Sequence, residues 1–330
     1  MSSYPLISVL VPVYKPPLQY LKKCCEGIFN QTYPNLEVLF YIDGTADECP
    51  EMMTYLRSIE DEHDNVRIYT GIKNMGVSYA RNYLKSQMSN EAYAYVYTDS
   101  DDELDIKNIL LRYELMKEKD LDGVFNEFIS YKFDLSGTKK SFWRYVFPPT
   151  EKFKDTLLLG CSWWGCMGAS PFLRNNKKTK SIDYPVHFRF AEDLHYVLNL
   201  IWKANIKFDI IHEPLYYQYQ ILQNPNSLTT FEKKVNTKLV INSTPYPFYI
   251  NCYKDFWEEH GFKFNSAMAN VYARIHNYGI KYISVLKFTP DEIKMLNKMV
   301  SALSKMTGKS QKYYLDLIME MAGSEKGYKF

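Results

Sequence analysis

Apolar and polar positions alternate along the first 130 residues in two distinct periods. Ile7–Val13 (ISVLVPV) is a near-continuous apolar, β-branched run, the pattern of a strand covered on both faces. In Leu18–Phe29 the apolar residues Leu18, Leu21, Cys25, Ile28 and Phe29 recur at helical spacing. The pair of signals then repeats: strand Glu37–Ile42, helix Pro50–Ile59, strand Val66–Tyr69, helix Val77–Met88, strand Ala92–Thr98, helix Ile106–Glu118 and strand Gly123–Tyr131. Asp43-Gly44 and Asn74-Met75-Gly76 punctuate it as turns. This alternation predicts βαβ units, hence an α/β fold with a mostly parallel central sheet flanked by helices. In such sheets ligands bind beyond the carboxyl ends of strands, which singles out Pro12–Tyr14, Asp43, Gly71–Asn74 and Asp99–Asp102.

Farther along, the pattern weakens. Phe133–Pro149 reads as a loop or edge hairpin, Glu151–Leu159 as a helix, and the glycine-bearing Ser162–Ala169 as a strand. Glu192–Ala204 has helical periodicity, Ile206–Ile211 is a strand, and Leu215–Tyr219 is an aromatic strand or loop. Beyond Ser227 come Lys-bearing helical patterns broken at Pro245, Pro247, Gly261, Gly279 and Pro290. The expected division is an α/β domain over 1–230 and a helical extension over 231–330.

Composition narrows the class. Of 330 residues, 46% are hydrophobic and 24% charged, values of a globular chain rather than a disordered one. Forty Lys+Arg against 38 Asp+Glu leave a net charge of +2, a poor match to a general nucleic-acid binder. None of the six cysteines forms a Cys-x-x-Cys pair, so a zinc ribbon is not expected, and Cys161 and Cys166 read as buried thiols. The N-terminus has no basic leader, and no stretch of 18 apolar residues occurs. A soluble, cytoplasmic protein is expected. Aromatic residues reach 16%, with 29 tyrosines, a surplus to be shared between core and site.

The most pointed chemistry is Asp99-Ser100-Asp101-Asp102, directly after a buried strand. Three carboxylates so close raise one another's pKa unless a cation sits among them, and a hard divalent metal with oxygen ligands removes that cost. The competing reading is a helix cap, with Asp101 or Asp102 at the start of a helix near Leu104. A strand followed by Asp-x-Asp also opens phosphohydrolases with an aspartyl nucleophile, but there it follows the first strand, not the fourth.

Several motifs stand in order: ISVLVPVYKP at the start, NQTYPNLEVLFYIDGTAD at 30–47, KNMGVSYARN at 73–82, YVYTDSDDEL at 95–104, FAEDLHY at 190–196 and HEPLYYQYQ…NPNSLTT at 212–230. Together they resemble the inverting glycosyltransferases of family 2, which have a GT-A fold, over about residues 6–230. One aspartate of the usual Asp-Asp-Gly-Ser pattern is missing, since Ile42 precedes Asp43, and Lys15 stands where an Asn is usual. The resemblance implies a nucleotide-diphospho-sugar donor, a UDP-sugar by expectation, and a divalent metal, Mn²⁺ or Mg²⁺. It implies that Pro12, Val13 and Tyr14 line the base pocket and that Asp43 accepts a hydrogen bond from the base. Asp99 would approach the ribose or diphosphate with Ser100 beside it, and Asp101, with Asp99, would ligate the metal. Arg81 would reach the base or diphosphate as a planar charge-assisted donor. His212 would contact the diphosphate or metal, and Ser227 matches the family's late serine.

An inverting transfer requires the acceptor hydroxyl to lose its proton as it attacks the anomeric carbon, through an oxocarbenium-like transition state. A carboxylate is the usual general base. Glu192-Asp193 opens a predicted helix, where the dipole favours negative charge. With the motif matched, Asp193 is the expected base and Glu192 touches the acceptor or orients the site. Trp163 and Trp164 are candidates for a sugar-stacking wall or for the core, and His195 reads as an ordinary helix-face histidine, the alternative being a place near the acceptor. The acceptor is expected to be a glycan or a lipid-linked saccharide. For residues 231–330 three readings stay open: a subdomain closing the acceptor side, a dimer contact, or a contact with the inner membrane face. The alternatives to transfer are a non-catalytic nucleotide-sugar-binding module and a sugar-phosphate nucleotidylyltransferase. The latter would open with a glycine-rich loop where Pro12–Pro17 stands.

Overall fold

The structure, a computed structural model of the chain, describes residues 4–160, 171–188, 191–221, 238–241, 244–247, 249–277 and 289–323. The chain forms two compact units, one of residues 1–147 and 165–230, the other of 148–164 and 231–330.

The first unit is built on a nine-stranded sheet. Its strands are β1 (Ile7–Val13), β2 (Leu36–Ile42), β3 (Val66–Thr70), β4 (Ala94–Tyr97), β5 (Glu103–Leu104), β6 (Gly123–Phe133), β7 (Lys139–Tyr145), β8 (Phe172–Arg174) and β9 (Phe208–Ile221). They lie in the order β3-β2-β1-β4-β8-β6-β9-β5, with β7 paired to β6. β1, β2, β3 and β4 are parallel neighbours, as the βαβ pattern requires, and β6 pairs with β9 in parallel. The sheet is mixed because β8 runs antiparallel between β4 and β6. Every residue of β1 is buried, which accounts for its unbroken apolar run. The helices that cross over are α1 (Leu18–Phe29), α2 (Pro50–Glu62), α3 (Val77–Gln87) and α4 (Asn108–Lys119).

Three departures from the sequence pattern have local causes. The strands expected at Ile206–Ile211 and Leu215–Tyr219 form one strand, β9, which runs through Pro214. The β6–β9 register shifts on both sides of Glu127, which faces Pro214, so a bulge absorbs the residue that has no N–H to donate. The segment after Asp102 is not yet helix: Glu103–Leu104 pairs with Tyr216–Tyr217, and α4 begins at Asn108. The helix expected over Glu192–Ala204 is α-helical only over Glu192–Leu198 and widens to a π-turn over Asn199–Lys203. The edge hairpin at 133–149 is present as the end of β6, a turn and β7.

The second unit gathers helix Thr150–Leu158 with helices Ile250–Glu259, Ser266–Asn277, Pro290–Thr307 and Gln311–Gly323. The buried Asp155 carboxylate receives Lys309 Nζ at 2.5 Å and the Tyr313 and Tyr314 hydroxyls at 3.0 Å each. Tyr253 stacks on Tyr272 with centroids 4.0 Å apart, and Trp257 donates its indole N–H to the Tyr272 hydroxyl at 2.8 Å. These aromatics of the C-terminal region are core. Among the described residues, no helix is long and apolar enough to cross a membrane.

Candidate functional site

The predicted positions lie beyond the carboxyl ends of β1, β2 and β4. Pro12 and Val13 are buried within β1, so Tyr14, 45% exposed, is the residue of that trio that presents its ring to solvent. Lys15 Nζ lies 5.5 Å from the Tyr14 ring centroid and 2.6 Å from Glu48. The Asp43 N–H bonds to Val13 C=O at 2.8 Å, which brings the two strand ends together. Both Asp43 oxygens are engaged: Oδ1 accepts Met75 N–H at 2.7 Å and Oδ2 accepts Gly76 N–H at 2.8 Å. The buried carboxylate therefore pins the Met75-Gly76 turn that leads into α3. Burial raises its pKa and the two backbone N–H groups oppose that shift.

The three aspartates after β4 have three different environments. Asp99 receives Arg81 Nη2 at 2.8 Å, and its N–H lies 3.3 Å from the Tyr216 hydroxyl. Asp102 is buried and accepts from the Tyr216 hydroxyl at 2.8 Å and the Tyr219 N–H at 2.9 Å. Neither Asp101 nor Asp102 caps α4, which Lys107 precedes, so that alternative falls away. Asp101 has its pKa pushed up to about 7, by burial first and by the charge of Asp99 second. Asp102 thus locks β9 to the loop, while Asp99 is ion-paired with Arg81.

Arg81, on α3, joins this loop to the other acidic pair. Its side chain is 7% exposed; Nη2 meets Asp99 at 2.8 Å and Nη1 meets Glu192 at 3.1 Å. The guanidinium lies 4.8 Å over the Tyr184 ring, and Tyr184 stacks on Tyr196 with centroids 3.9 Å apart. Tyr97 packs edge-on against both. Burial disfavours the Arg81 charge, but Asp99 and Glu192 more than restore it, so its pKa stands well above the ordinary value. Glu192 is raised by burial and lowered by Arg81. Its neighbour Asp193 is half-buried, with its pKa pushed up to about 8 by burial and then by the charge of Glu192. The pair sits just after Ala191, whose φ of 58° is in the left-handed region that a side chain disfavours. The chain thus accepts local strain where it turns the two carboxylates inward.

His212 is on β9 in a separate group. Its Nδ1 lies 3.0 Å from Glu127 Oε1, and Arg144 binds the fully buried Glu127 carboxylate at 2.9 Å while donating to His212 C=O at 3.2 Å. The described contacts of His212 do not link it to Asp99 or Asp101. The His195 ring lies edge-on to Phe188 and 3.1 Å from Asn199. Ser100 is buried. Trp163, Trp164, Cys161, Cys166 and Ser227 lie outside the described residues. Sequence reasoning misses Tyr184, Tyr216 and Glu127, which hold the charged groups in place. Tyr216 is visible only as part of the aromatic run LYYQY.

The donor set bears on a metal. Among the described residues, no three His, Cys, Asp or Glu side chains converge to hold an ion by themselves. Asp99 and Asp101, the latter raised by burial and then by the charge of Asp99, are oxygen donors of the kind a hard cation takes, and such a cation would need further ligands from substrate or water. The residues present fit a metal completed by substrate, not a resident cage.

Comparison with known proteins gives concordant findings. The model of a family described as glycosyl transferase family 2 matches residues 8–174. Glycosyltransferase GlyA of Streptococcus pneumoniae is 32% identical over 125 residues, which cover 38% of this chain and 17% of GlyA. GlyG of the same organism is 32% identical over 126 residues, covering 38% of this chain and 40% of GlyG. The chain thus spans less than half the length of either. The dolichyl N-acetyl-alpha-D-glucosaminyl phosphate 3-beta-D-2,3-diacetamido-2,3-dideoxy-beta-D-glucuronosyltransferase of Methanococcus voltae is 23% identical over 259 residues, 72% of this chain and 70% of that one. The crystal structure of S. aureus TarS 1-349 in complex with UDP-GlcNAc superposes with a TM-score of 0.56 at 15% identity, covering 96% of this chain and 89% of that chain. That likeness concerns the fold, which is of the GT-A type.

Proposed function

The chain belongs to glycosyl transferase family 2, and from that premise we propose that it catalyses metal-dependent, inverting transfer of a sugar from a UDP-sugar to a hydroxyl of a lipid-linked or free saccharide. The observation that carries this reading is the Asp99–Arg81–Glu192 bridge, which ties the strand-end aspartates to the carboxylate pair that includes Asp193. A UDP donor is supported by the TarS complex, and a lipid-linked acceptor by the name of the Methanococcus relative.

In this mechanism Tyr14 stacks on the base, offering an aromatic face of general stacking value. Asp43 supports the same pocket by holding the start of α3 against β2. Asp101 and Asp99 would hold the divalent cation, which supplies charge neutralisation for the departing diphosphate. Asp193 takes the acceptor hydroxyl proton on its carboxylate as the new C–O bond forms at the anomeric carbon. The bond to the nucleoside diphosphate breaks on the opposite face, so the configuration inverts. Glu192, held beside Arg81, places its charge next to Asp193 and raises the basicity of that carboxylate. Arg81 balances charge on both carboxylate groups without leaving the protein. The expected division at residue 230 becomes, in this reading, a catalytic unit of 1–147 and 165–230 and a second unit in which residues 148–164 join 231–330, mostly helical but with a hairpin of Lys238–Ile241 and Thr244–Pro247.

The test is a hydrolysis and binding screen across UDP-, GDP- and dTDP-sugars with Mn²⁺. UDP release from at least one UDP-sugar is expected. Failure to bind or turn over every donor would overturn the proposal.

A further inference from the structure

We propose that the β6–β7 hairpin is a membrane-docking element whose tip and outer edge seat on an anionic bilayer. The hairpin carries three exposed large apolar side chains: Leu135 at the tip, 66% exposed, and Phe142 and Trp143 on β7, 47% and 38% exposed. Between Tyr131 and Trp143 it holds Lys132, Lys139 and Lys140 against one acidic residue, Asp134, which pairs with Lys140, so Lys132 and Lys139 remain as the hairpin's uncompensated charges. Lys139 Nζ lies 4.3 Å from the Tyr131 ring centroid and 4.7 Å from that of Phe142, an ammonium above an aromatic floor. Aromatic residues interleaved with lysines match the interfacial zone of a bilayer with negative headgroups.

The tip is built to present these groups. Asp134 accepts the N–H groups of Ser136 and Thr138 at 2.9 Å each and pairs with Lys140 at 2.7 Å. Gly137, at φ +80°, closes the turn in the left-handed region. The one acidic group is thereby neutralised within the turn, and its pKa is held below the usual carboxylate range by those bonds. Leu135 is thus displayed on a fixed loop, with little ordering entropy left to lose.

Direction supports the assignment. Val96 of β4 and Val124 of β6 both pair with Phe172 of β8, so the sheet brings Glu127 level with Asp99. The hairpin extends past that level, from the end of the sheet that carries Asp99. A docked hairpin would hold that end toward the bilayer. This clause rests on the lipid-linked acceptor proposed above, whereas the docking does not. An acidic polysaccharide would meet the lysines but has no use for an exposed Leu135, so the bilayer is the better occupant.

The test is flotation of the full chain with vesicles of phosphatidylcholine, with and without about one-third phosphatidylglycerol. Binding is expected only with the anionic lipid and should weaken as salt is raised. Leu135→Ser/Trp143→Ser and, separately, Lys132→Gln/Lys139→Gln should each lower the partition coefficient at least about tenfold. Both variants should stay folded by circular dichroism at the assay temperature, with the Trp143 variant melting somewhat lower, and both should keep donor hydrolysis in solution. Absence of binding by the unaltered chain, binding by either variant equal to it, or retention on an acidic polysaccharide without vesicle binding would each overturn the proposal. Donor hydrolysis measured without lipid reports on the transfer reaction separately.

Discussion

Replacing Arg81 by Met leaves the volume of the side chain nearly intact but removes the one cation between two acidic groups. Arg81 is 7% exposed at its side chain, Glu192 11% and Asp99 34%. Breaking a buried pair by deleting one partner costs about 3–5 kcal/mol, because the remaining charge is uncompensated. Asp99 is a third exposed and can rehydrate, so Glu192 carries most of the loss, and the lower end, about 3 kcal/mol, is expected near pH 8. At about 2–4 °C per kcal/mol for a unit of this size, the melting temperature should fall by roughly 6–12 °C. Glu192 already has its pKa raised by burial, and without Arg81 it takes up a proton more readily. The loss should therefore shrink toward about pH 5. Arg81→Met/Glu192→Gln should recover more than half of it, since the only partner of Arg81 left charged is Asp99, which is a third exposed and can rehydrate. Thermal melts by near-ultraviolet circular dichroism on the three proteins at both pH values decide the matter. A single variant that melts within about 1 °C of the unaltered chain, or a double variant that recovers nothing, would refute the bridge.

Other outcomes follow from single contacts. Asp43→Ala should cost about 1–3 kcal/mol in a chemical melt by freeing the N–H groups of Met75 and Gly76 in the turn before α3, whereas Asp43→Asn, which keeps one acceptor, should cost less. Ala191→Gly should stabilise the fold by about 1 kcal/mol by relieving the left-handed φ of 58°, and should also loosen the Glu192–Asp193 turn enough to lower turnover. Asp101→Asn should abolish the Mn²⁺-dependent part of UDP-sugar binding measured by calorimetry and spare the metal-independent part. Asp193 has a folded pKa of about 8, raised above its unfolded value of about 3.9, so the folded state holds that proton more tightly. Its contribution to stability is complete below about pH 4 and is lost as pH rises through about 8; Asp193→Asn should therefore melt above the unaltered chain near pH 8 and with it near pH 4.

The strands and helices of the first 130 residues are legible in the sequence because their burial is regular. β1 is covered on both faces and reads as an unbroken apolar run. The antiparallel β8 is only Phe172–Arg174, too short for any period to mark it, and so the mixed character of the sheet stays hidden. β9 reads as two pieces because Pro214 stands within it, and only pairing with β6 shows that a bulge absorbs it. In the candidate site, the residue types and their motif single out Asp99, Asp101, Glu192 and Asp193, but not how their contacts are divided. That Asp102 is a clasp for Tyr216 and Tyr219 depends on residues more than a hundred positions away. That Arg81 spans both acidic groups depends on the fold bringing α3 beside Asp99 and Glu192, 18 and 111 positions further along the chain, which no local pattern records.

The central claim is that Asp193 is the base of sugar transfer, and it is tested most directly by comparing UDP release from a UDP-sugar by the unaltered chain and by Asp193→Asn, with UDP binding measured in parallel. The account predicts unchanged UDP affinity and turnover lowered about 10²–10⁴-fold. It also predicts that kcat/KM of the unaltered chain rises with pH until about 8, where Asp193 becomes ionised. Turnover by Asp193→Asn within a few-fold of the unaltered chain, at any pH across that range, would contradict it.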